Sequence, residues 1–390
     1  MNFMNDLFYT DEHKMLVDMV REFAQNEVAP VAMELDEKSE FPKKLVEQMS
    51  ELGMMGIPIP EEYGGAGMDM VGYAAAVMEL ARADASVAIT MAAHTSLGTM
   101  PILLAGTPEQ KQKYIPQLAS GKMLGAFGLT EPEAGSDAGA TKTTAVKDGN
   151  DYIINGGKIF ITNAGVAGVL TLTAKIIENG KDLGIGAFIV NTDVKGLKIG
   201  PAEKKMGWKA SDTRQLFFED MRVSKENMLG HPGKGFKTFL KTLTGGRISV
   251  AALSVGTAWG AYERALKYSL EREAFGKPIY KFQAVSFKLA DMATEIEASK
   301  LLTFQAAWLK DQGRDVTKEA AMAKLFASET AMRTTTEAIQ VFGGYGYVKE
   351  YEVERFFRDA KVLEIGEGTS EVQRLIISKN IINSAQEQYG

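Results

Sequence analysis

The chain has 390 residues, 45% of them hydrophobic and 24% charged, enough to bury a large core in two or three domains. Its net charge of -6 argues against a nucleic-acid-binding protein, which carries a basic excess. The lack of cysteine excludes disulfides, thiolate nucleophiles, iron–sulfur clusters and Cys-based zinc sites. His13, His94 and His231 lie far apart and outside any metal-ligating spacing, so no metal is expected and acid–base work falls to carboxylates. The opening MNFMNDL has neither a basic nor an apolar leader segment. The longest nearly apolar stretch is read as 250–262, short of the ~20 residues that span a bilayer. A soluble, cytoplasmic protein is expected, with a processed mitochondrial matrix protein left open.

Residues 1–125 read as helical. Leu7 and Phe8 precede Thr10, an N-cap, with Asp11 and Glu12 in the first turn. Leu16, Met19, Val20 and Phe23 then recur at helical spacing until Pro30, which is expected to end the run. Helical patterns continue over 43–53, 69–83, 86–104 and 108–119, with a loop at Gly64, Gly65 and Gly67. Residues 126–225 change to period two. Tyr152 to Ile154 and Lys158 to Thr162 predict a hairpin around an Asn155-Gly156-Gly157 turn. Further strands are predicted over 169–176, 186–191 and 215–218, in a small barrel or sandwich. After Gly235 long helices are predicted near 236–272, 281–312, 316–342 and 369–384. Val285, Leu289, Met292 and Ile296 mark one face of the second, and the four suggest an antiparallel bundle.

Nucleotide signatures are incomplete. Gly184-Ile185-Gly186 and Gly233-Lys234-Gly235 lack a third glycine, and there is no phosphate-loop run. The block FGLTEPEAGSD at 127–137 is more informative. It sets glycines and the hydroxyls of Thr130 and Ser136 in one loop, able to offer donors to an anionic or carbonyl-rich ligand; an ordinary strand-to-loop junction is the plainer reading. Phe160 to Asn163 likewise supplies either an aromatic cover for a flat ring or a core strand.

FGLTEPEAGSD, INGGKIFITNAG at 154–165, KMGWKASDTRQLFFEDMRV at 205–223, REAFGKPIYKFQAVSFKLADM at 272–292 and IQVFGGYGYVKEYEVERFFRDAKVLEIGEGTSEVQRLII at 339–377 together resemble the acyl-CoA dehydrogenase family. The matches run in order over most of the chain. The resemblance implies a mostly α protein with a central β domain: an α-helical domain at 1–125, a β-barrel domain at 126–235 and a four-helix bundle at 236–390. It implies FAD bound noncovalently between the last two. Thr130 and the backbone around Phe127 and Leu129 would bind the flavin pyrimidine edge, Phe160 would lie against the ring, and Thr162 would sit near flavin N5. Ser136 would touch the CoA portion beside the cofactor. Arg272, Phe275, Phe282 and Gln283, with Gln340, Gly343 and Gly344, would hold the pyrophosphate and adenine of a neighbouring subunit's FAD. Arginine suits that task because it is a permanently charged planar fork. Thr369 and Glu371 would complete the cofactor side. Thr244, Arg247 and Gly368 would face the acyl-CoA. Many relatives carry Asp where this chain has Thr244, and a salt-bridged helix start is the alternative for Arg247. A homotetramer, a dimer of dimers, and an electron-transferring flavoprotein as electron acceptor are further implications.

The family desaturates an acyl thioester at its α,β carbons: a carboxylate takes the α proton while the β hydrogen leaves as hydride to the flavin. The matching carboxylate is Glu367 in Ile365-Gly366-Glu367-Gly368-Thr369. Its flanking glycines let the backbone approach a ligand, and its N–H could polarise the thioester carbonyl. Ser370 with Gln373 fits a capping box for the following helix. That helix's dipole favours the carboxylate by ~0.3–1 kcal/mol, and burial is expected to outweigh it and raise the pKa. The stretch Ala251-Ala252-Leu253-Ser254, where some relatives place the base, holds no acid. Gly366, where many straight-chain relatives have Tyr, predicts a branched or alicyclic acyl group such as cyclohexanecarbonyl. Segment 85–108 has no charged side chain to pair an ω-carboxylate, so a monocarboxylic substrate is expected; His94 there is either pocket lining or structural. Two other readings remain: an oxygen-using flavoenzyme on the same fold (an acyl-CoA oxidase or a monooxygenase) and a non-catalytic acyl-CoA-binding descendant.

Overall fold

The computed structural model describes residues 8–389; the opening seven residues, Leu7 among them, and Gly390 lie outside the described residues. Thr10 caps α1 (Asp11–Phe23), accepting from the His13 N–H while His13 Nδ1 accepts from the Thr10 N–H. Pro30 does not end the helical path. The chain runs through a π turn (Ala24–Val28) and a 3-10 turn (Ala29–Val31) into α2 (Ala32–Lys38), since a proline in the first turn of a helix lacks only an N–H that would be unpaired there. α3 (Lys43–Glu51), α4 (Met70–Ala83), α5 (Ala85–Ala92), α6 (Met100–Ala105) and α7 (Pro108–Ala119) follow. Asp69 and Asp84 cap α4 and α5 through their carboxylates. A π-helical segment, Ala93–Thr99, joins α5 to α6. The run Ala85–Ala105 is apolar and long enough to cross a membrane, and so exceeds 250–262, yet 78% of its most apolar window is buried inside the protein, as in a core helix.

The middle of the chain forms one mixed sheet in the order β6-β7-β3-β2-β4-β5-β8, with β1 pairing in parallel with β4. The strands are β1 (Gly125–Gly128), β2 (Thr144–Asp148), β3 (Asp151–Thr162), β4 (Val169–Glu178), β5 (Lys181–Asn191), β6 (Leu197–Ala202), β7 (Thr213–Ser224) and β8 (Met228–Leu229). The hairpin turn lies at Gly149-Asn150, between β2 and β3, not at Asn155-Gly156-Gly157. Those three residues sit inside β3, whose register against β7 shifts between Ile154 and Gly156. Gly156 takes φ +136° there and a Cβ would meet Thr143 Oγ1 at 2.7 Å, so the Asn-Gly pair serves a bulge.

α8 (Gly235–Glu271), α9 (Gln283–Asp311), α10 (Thr317–Phe342) and α12 (Ser370–Tyr389) form the terminal helical part, with the short α11 (Val353–Ala360) between the last two and a two-stranded ribbon, β9 (Glu273–Ala274) and β10 (Lys277–Pro278), after α8. α8 is buried almost continuously from Gly245 to Tyr262 and is rich there in Gly, Ala and Ser. A Cβ on Gly256 would stand 2.2 Å from the Met78 carbonyl oxygen, so α4 and α8 pack backbone against backbone.

Buried charges tie the three parts together. Arg355 on α11 pairs with Asp84 at 2.6 Å, both 1% exposed, and lies 3.8 Å from Asp359. Asp359 accepts the Trp208 N–H from the β part at 2.6 Å. Arg358 bonds Asp36 through both terminal nitrogens and the Met206 carbonyl.

Candidate active site

Glu367 stands in the loop between a 3-10 turn (Lys361–Glu364) and α12. Its φ is +54°, a left-handed conformation that a residue other than glycine holds only when its surroundings impose it, at a cost of order 1–3 kcal/mol. Gly368 follows at φ +97°. The loop is pinned from two sides. Lys324 Nζ on α10 donates to the Gly368 carbonyl at 2.8 Å, and Gln373 Nε2 donates to the same oxygen at 2.8 Å and to the Glu367 carbonyl at 3.2 Å. Gln373 therefore does not close a capping box with Ser370, whose hydroxyl is buried without a partner. Thr369 is the cap, accepting from the Val372 N–H, because Ser370 is already the first helical residue.

The Glu367 side chain points at α8. A Cβ on Gly246 would lie 2.0 Å from its Oε2, an oxygen that is buried and has no hydrogen-bond partner. Arg247, the next residue, is 6% exposed, with an unpartnered Nε. It sits well inside α8, so the helix-start reading does not hold, and it makes no ion pair within 4.0 Å among the described residues. Burial raises the Glu367 pKa to about 7, against the opposing pull of Arg247 and Lys324. Ala251 to Ser254 lie deep in the core; the α8 residue that faces Glu367 is Gly246. Thr244 spends its hydroxyl on the Leu240 carbonyl.

On the sheet, Phe127 is buried with its ring stacked on Phe239 at 4.3 Å, and Leu129 is buried beside it. Thr130 is half-buried and its carbonyl accepts the Ile159 N–H. Ser136 is exposed and Thr162 half-buried. Phe160 is 64% exposed at φ +60°, where the β3–β7 ladder passes from Lys158 straight to Ile161. Phe160 is thus a surface ring, not a core residue. Beneath it Lys158, fully buried, donates to the Leu129 carbonyl, to Glu131 and to Thr173. Glu131 also accepts from the Lys142 and Thr143 N–H groups. This pair was inside the quoted motifs, and a lysine at an inward position of β3 was its one signal.

Arg272, Gly343 and Gly344 line an open concavity of about 480 Å³ at the end of the helical bundle. The Arg272 guanidinium lies 5.4 Å from the Tyr345 ring centre. Phe275, 95% exposed, meets Phe282 edge-on, and Gln283 and Gln340 are exposed. None of the sheet residues lines this concavity. Glu371 is exposed in the first turn of α12, its pKa lowered by N–H groups at the helix start and the Thr369 hydroxyl.

The acyl-CoA dehydrogenase N-terminal, middle and C-terminal domains match residues 10–122, 126–221 and 233–382. The chain belongs to the acyl-CoA dehydrogenase family. It is 50% identical to the short-chain specific acyl-CoA dehydrogenase of Clostridium acetobutylicum over 96% of this chain and 99% of that one. The structure of butyryl-CoA dehydrogenase from Megasphaera elsdenii superposes with a TM-score of 0.93 at 46% identity, covering 96% and 98% of the two chains. A chain in the structure of the electron transferring flavoprotein of Acidaminococcus fermentans superposes equally, 0.93 at 48% identity over 95% and 98%. Acyl-CoA dehydrogenases are FAD-dependent, and the dehydrogenase fits that cofactor. Phe160 offers an uncovered aromatic face beside a gap in the strand ladder, and Arg272 faces two glycines across a concavity that a phosphate pair can enter. His94 is structural: Nε2 donates to the Leu118 carbonyl, Nδ1 accepts the Gly125 N–H, and burial lowers its pKa to about 4. A separate cavity of about 20 Å³, room for one water molecule, lies between Tyr73, Ser96 and Met100. Lys241 on α8 and Lys310 on α9 also line it.

Proposed function

We propose that this dehydrogenase desaturates a short, straight-chain acyl-CoA at its α,β carbons, with Glu367 as the base. The observation that carries the reading is the buried Glu367 carboxylate, its Oε2 without a partner and its pKa raised to about 7, packed against α8 where Gly246 has no side chain. Glu367 takes the α proton, and the N–H of the same loop polarises the thioester carbonyl. Bound FAD supplies the hydride acceptor. Thr130, Phe160 and Thr162 would hold its ring, and Arg272 with Gly343 and Gly344 would hold the pyrophosphate of a second subunit's cofactor. Arg247 steadies the enolate charge from α8. Similarity to enzymes named for short-chain and butyryl substrates supports the chain length. The branched or alicyclic expectation finds no support in those relatives. At Gly366 a Cβ would meet only the Val362 carbonyl, at an ordinary 3.5 Å, so packing does not require the glycine. Likeness to the chain from Acidaminococcus fermentans supports an electron-transferring flavoprotein as acceptor. A homotetramer accounts for the exposure of Phe275 and Tyr347 and for cofactor residues on two separate faces.

The test is an anaerobic absorbance titration of the FAD-loaded protein with butanoyl-, octanoyl-, isobutanoyl-, glutaryl- and cyclohexanecarbonyl-CoA. Butanoyl-CoA is expected to bleach the flavin fastest. A branched or cyclic winner overturns the chain-shape reading, and a glutaryl winner assigns Lys241 and Lys310 to substrate. Rapid reoxidation by oxygen in the presence of product would instead mark an oxidase.

A further inference from the structure

Lys324 has no place in the chemistry described so far, yet it is one of the largest side chains in the protein with no solvent exposure. It reaches from the middle of α10 to the loop of the base, where its Nζ donates to the Gly368 carbonyl at 2.8 Å. That oxygen already has a neutral donor in Gln373. A second, charged donor in the core is costly to bury, and what sets it apart from Gln373 is its charge. The groups that act on it are Glu367, Arg247, Glu364 and Glu371. Those that act on Glu367 are Arg247 on α8 and Lys324 on α10. From α4, Tyr73 feels the Glu367 charge.

We propose that Lys324 is the positioning residue of the base: from α10 it fixes the left-handed backbone of Glu367 and Gly368 and sets a positive charge against the Glu367 carboxylate. The inference rests on the reading of Glu367 as base. Geometry and charge are separable here, because Gln373 shares the first task and not the second. Burial lowers the Lys324 pKa to about 8, still above the value of about 7 for Glu367, so the ammonium is mostly charged where Glu367 is half ionised. The sign follows. Glu367 must be ionised to accept a proton, and removing a nearby cation raises its pKa further. The acid limb of kcat/KM therefore moves to higher pH.

The experiment compares Lys324→Met, Lys324→Gln, Lys324→Arg and Gln373→Leu as FAD-loaded proteins, using the acyl-CoA found to bleach the flavin. Two quantities are read: the pH profile of kcat/KM, and hydrogen exchange of the 365–369 amides without substrate. Both neutral Lys324 variants are expected to move the acid limb up by about one pH unit, the order produced by losing an opposite charge at close range, and to speed exchange in the loop. Lys324→Arg should restore the limb. Gln373→Leu should speed exchange and leave the limb in place. Folded Lys324→Gln or Lys324→Met protein with an unmoved acid limb overturns the proposal, as does a limb that Lys324→Arg fails to restore. Glu367→Gln separates the two readings: continued bleaching by that variant defeats the assignment of the base, whereas its silence beside an unmoved limb in the Lys324 variants defeats only the inference about Lys324.

Discussion

Lys158 and Glu131 show what one buried pair does for a binding loop. Lys158 joins Leu129, Glu131 and Thr173, so the backbone from Leu129 to Glu131 is fixed before any ligand arrives. Lys158→Met leaves the Glu131 carboxylate buried without its cation, a change that costs about 3–5 kcal/mol when nothing relaxes. Weaker retention of FAD and a lower Tm are the expected results, read by flavin release during gel filtration and by thermal melting. Unchanged retention would confine the pair to stability alone. Such residues were poorly legible in the sequence. A lysine at an inward strand position and an aspartate in RFFRDA look like solvent charges until their partners are known, and those partners lie 27 residues away for Lys158 and 151 for Asp359. Glu367 was legible as a candidate base only through the resemblance of Ile365 to Thr369 to the family's motif, with no acid in Ala251 to Ser254 to compete. Its left-handed backbone and the Gln373 clamp were not, since both depend on how α10 and α12 meet the loop.

Among the elements, long helices were read nearly to their ends because their apolar period is strong. The strands were read less well. Asn155-Gly156 has the chemistry of a turn, and the β7 partner turns it into a bulge; β1, β2 and β6 are too short or too polar on one face to announce themselves. α8 is the element on which the site depends, for it carries Gly246 and Arg247 and lies directly on α4. Gly256→Val drives a branched side chain toward the Met78 carbonyl. Overpacking of this kind typically costs 1–3 kcal/mol, so a lower urea midpoint is expected, with lower activity through the displaced Gly246. A midpoint equal to that of the parent protein would show that α4 can yield at this contact.

At the scale of the whole molecule, the three parts meet at a knot of buried charge around Arg355. Burial raises the Asp359 pKa to about 7, with the Arg355 charge opposing and the Asp84 charge adding to the rise. A carboxyl raised in the folded state contributes stability that is complete below its unfolded value near 4 and is lost as pH rises through about 7. Asp359→Asn can keep the bond from the Trp208 N–H without a charge. Its Tm relative to the parent protein is therefore expected to improve from pH 5 to pH 8. A constant difference across that range would place the titration elsewhere.

Gly246 on α8 and Glu367 in the loop before α12 lie far apart in the chain, yet both positions meet in the same few ångströms of space. Only one of the two positions can be filled at a time. The glycine on α8 is what makes the volume available to the loop, and an acid on α8 with a small residue on the loop would occupy it equally. What the fold specifies is the address of a carboxylate. Whether helix or loop delivers it depends on which of the two positions carries the small residue.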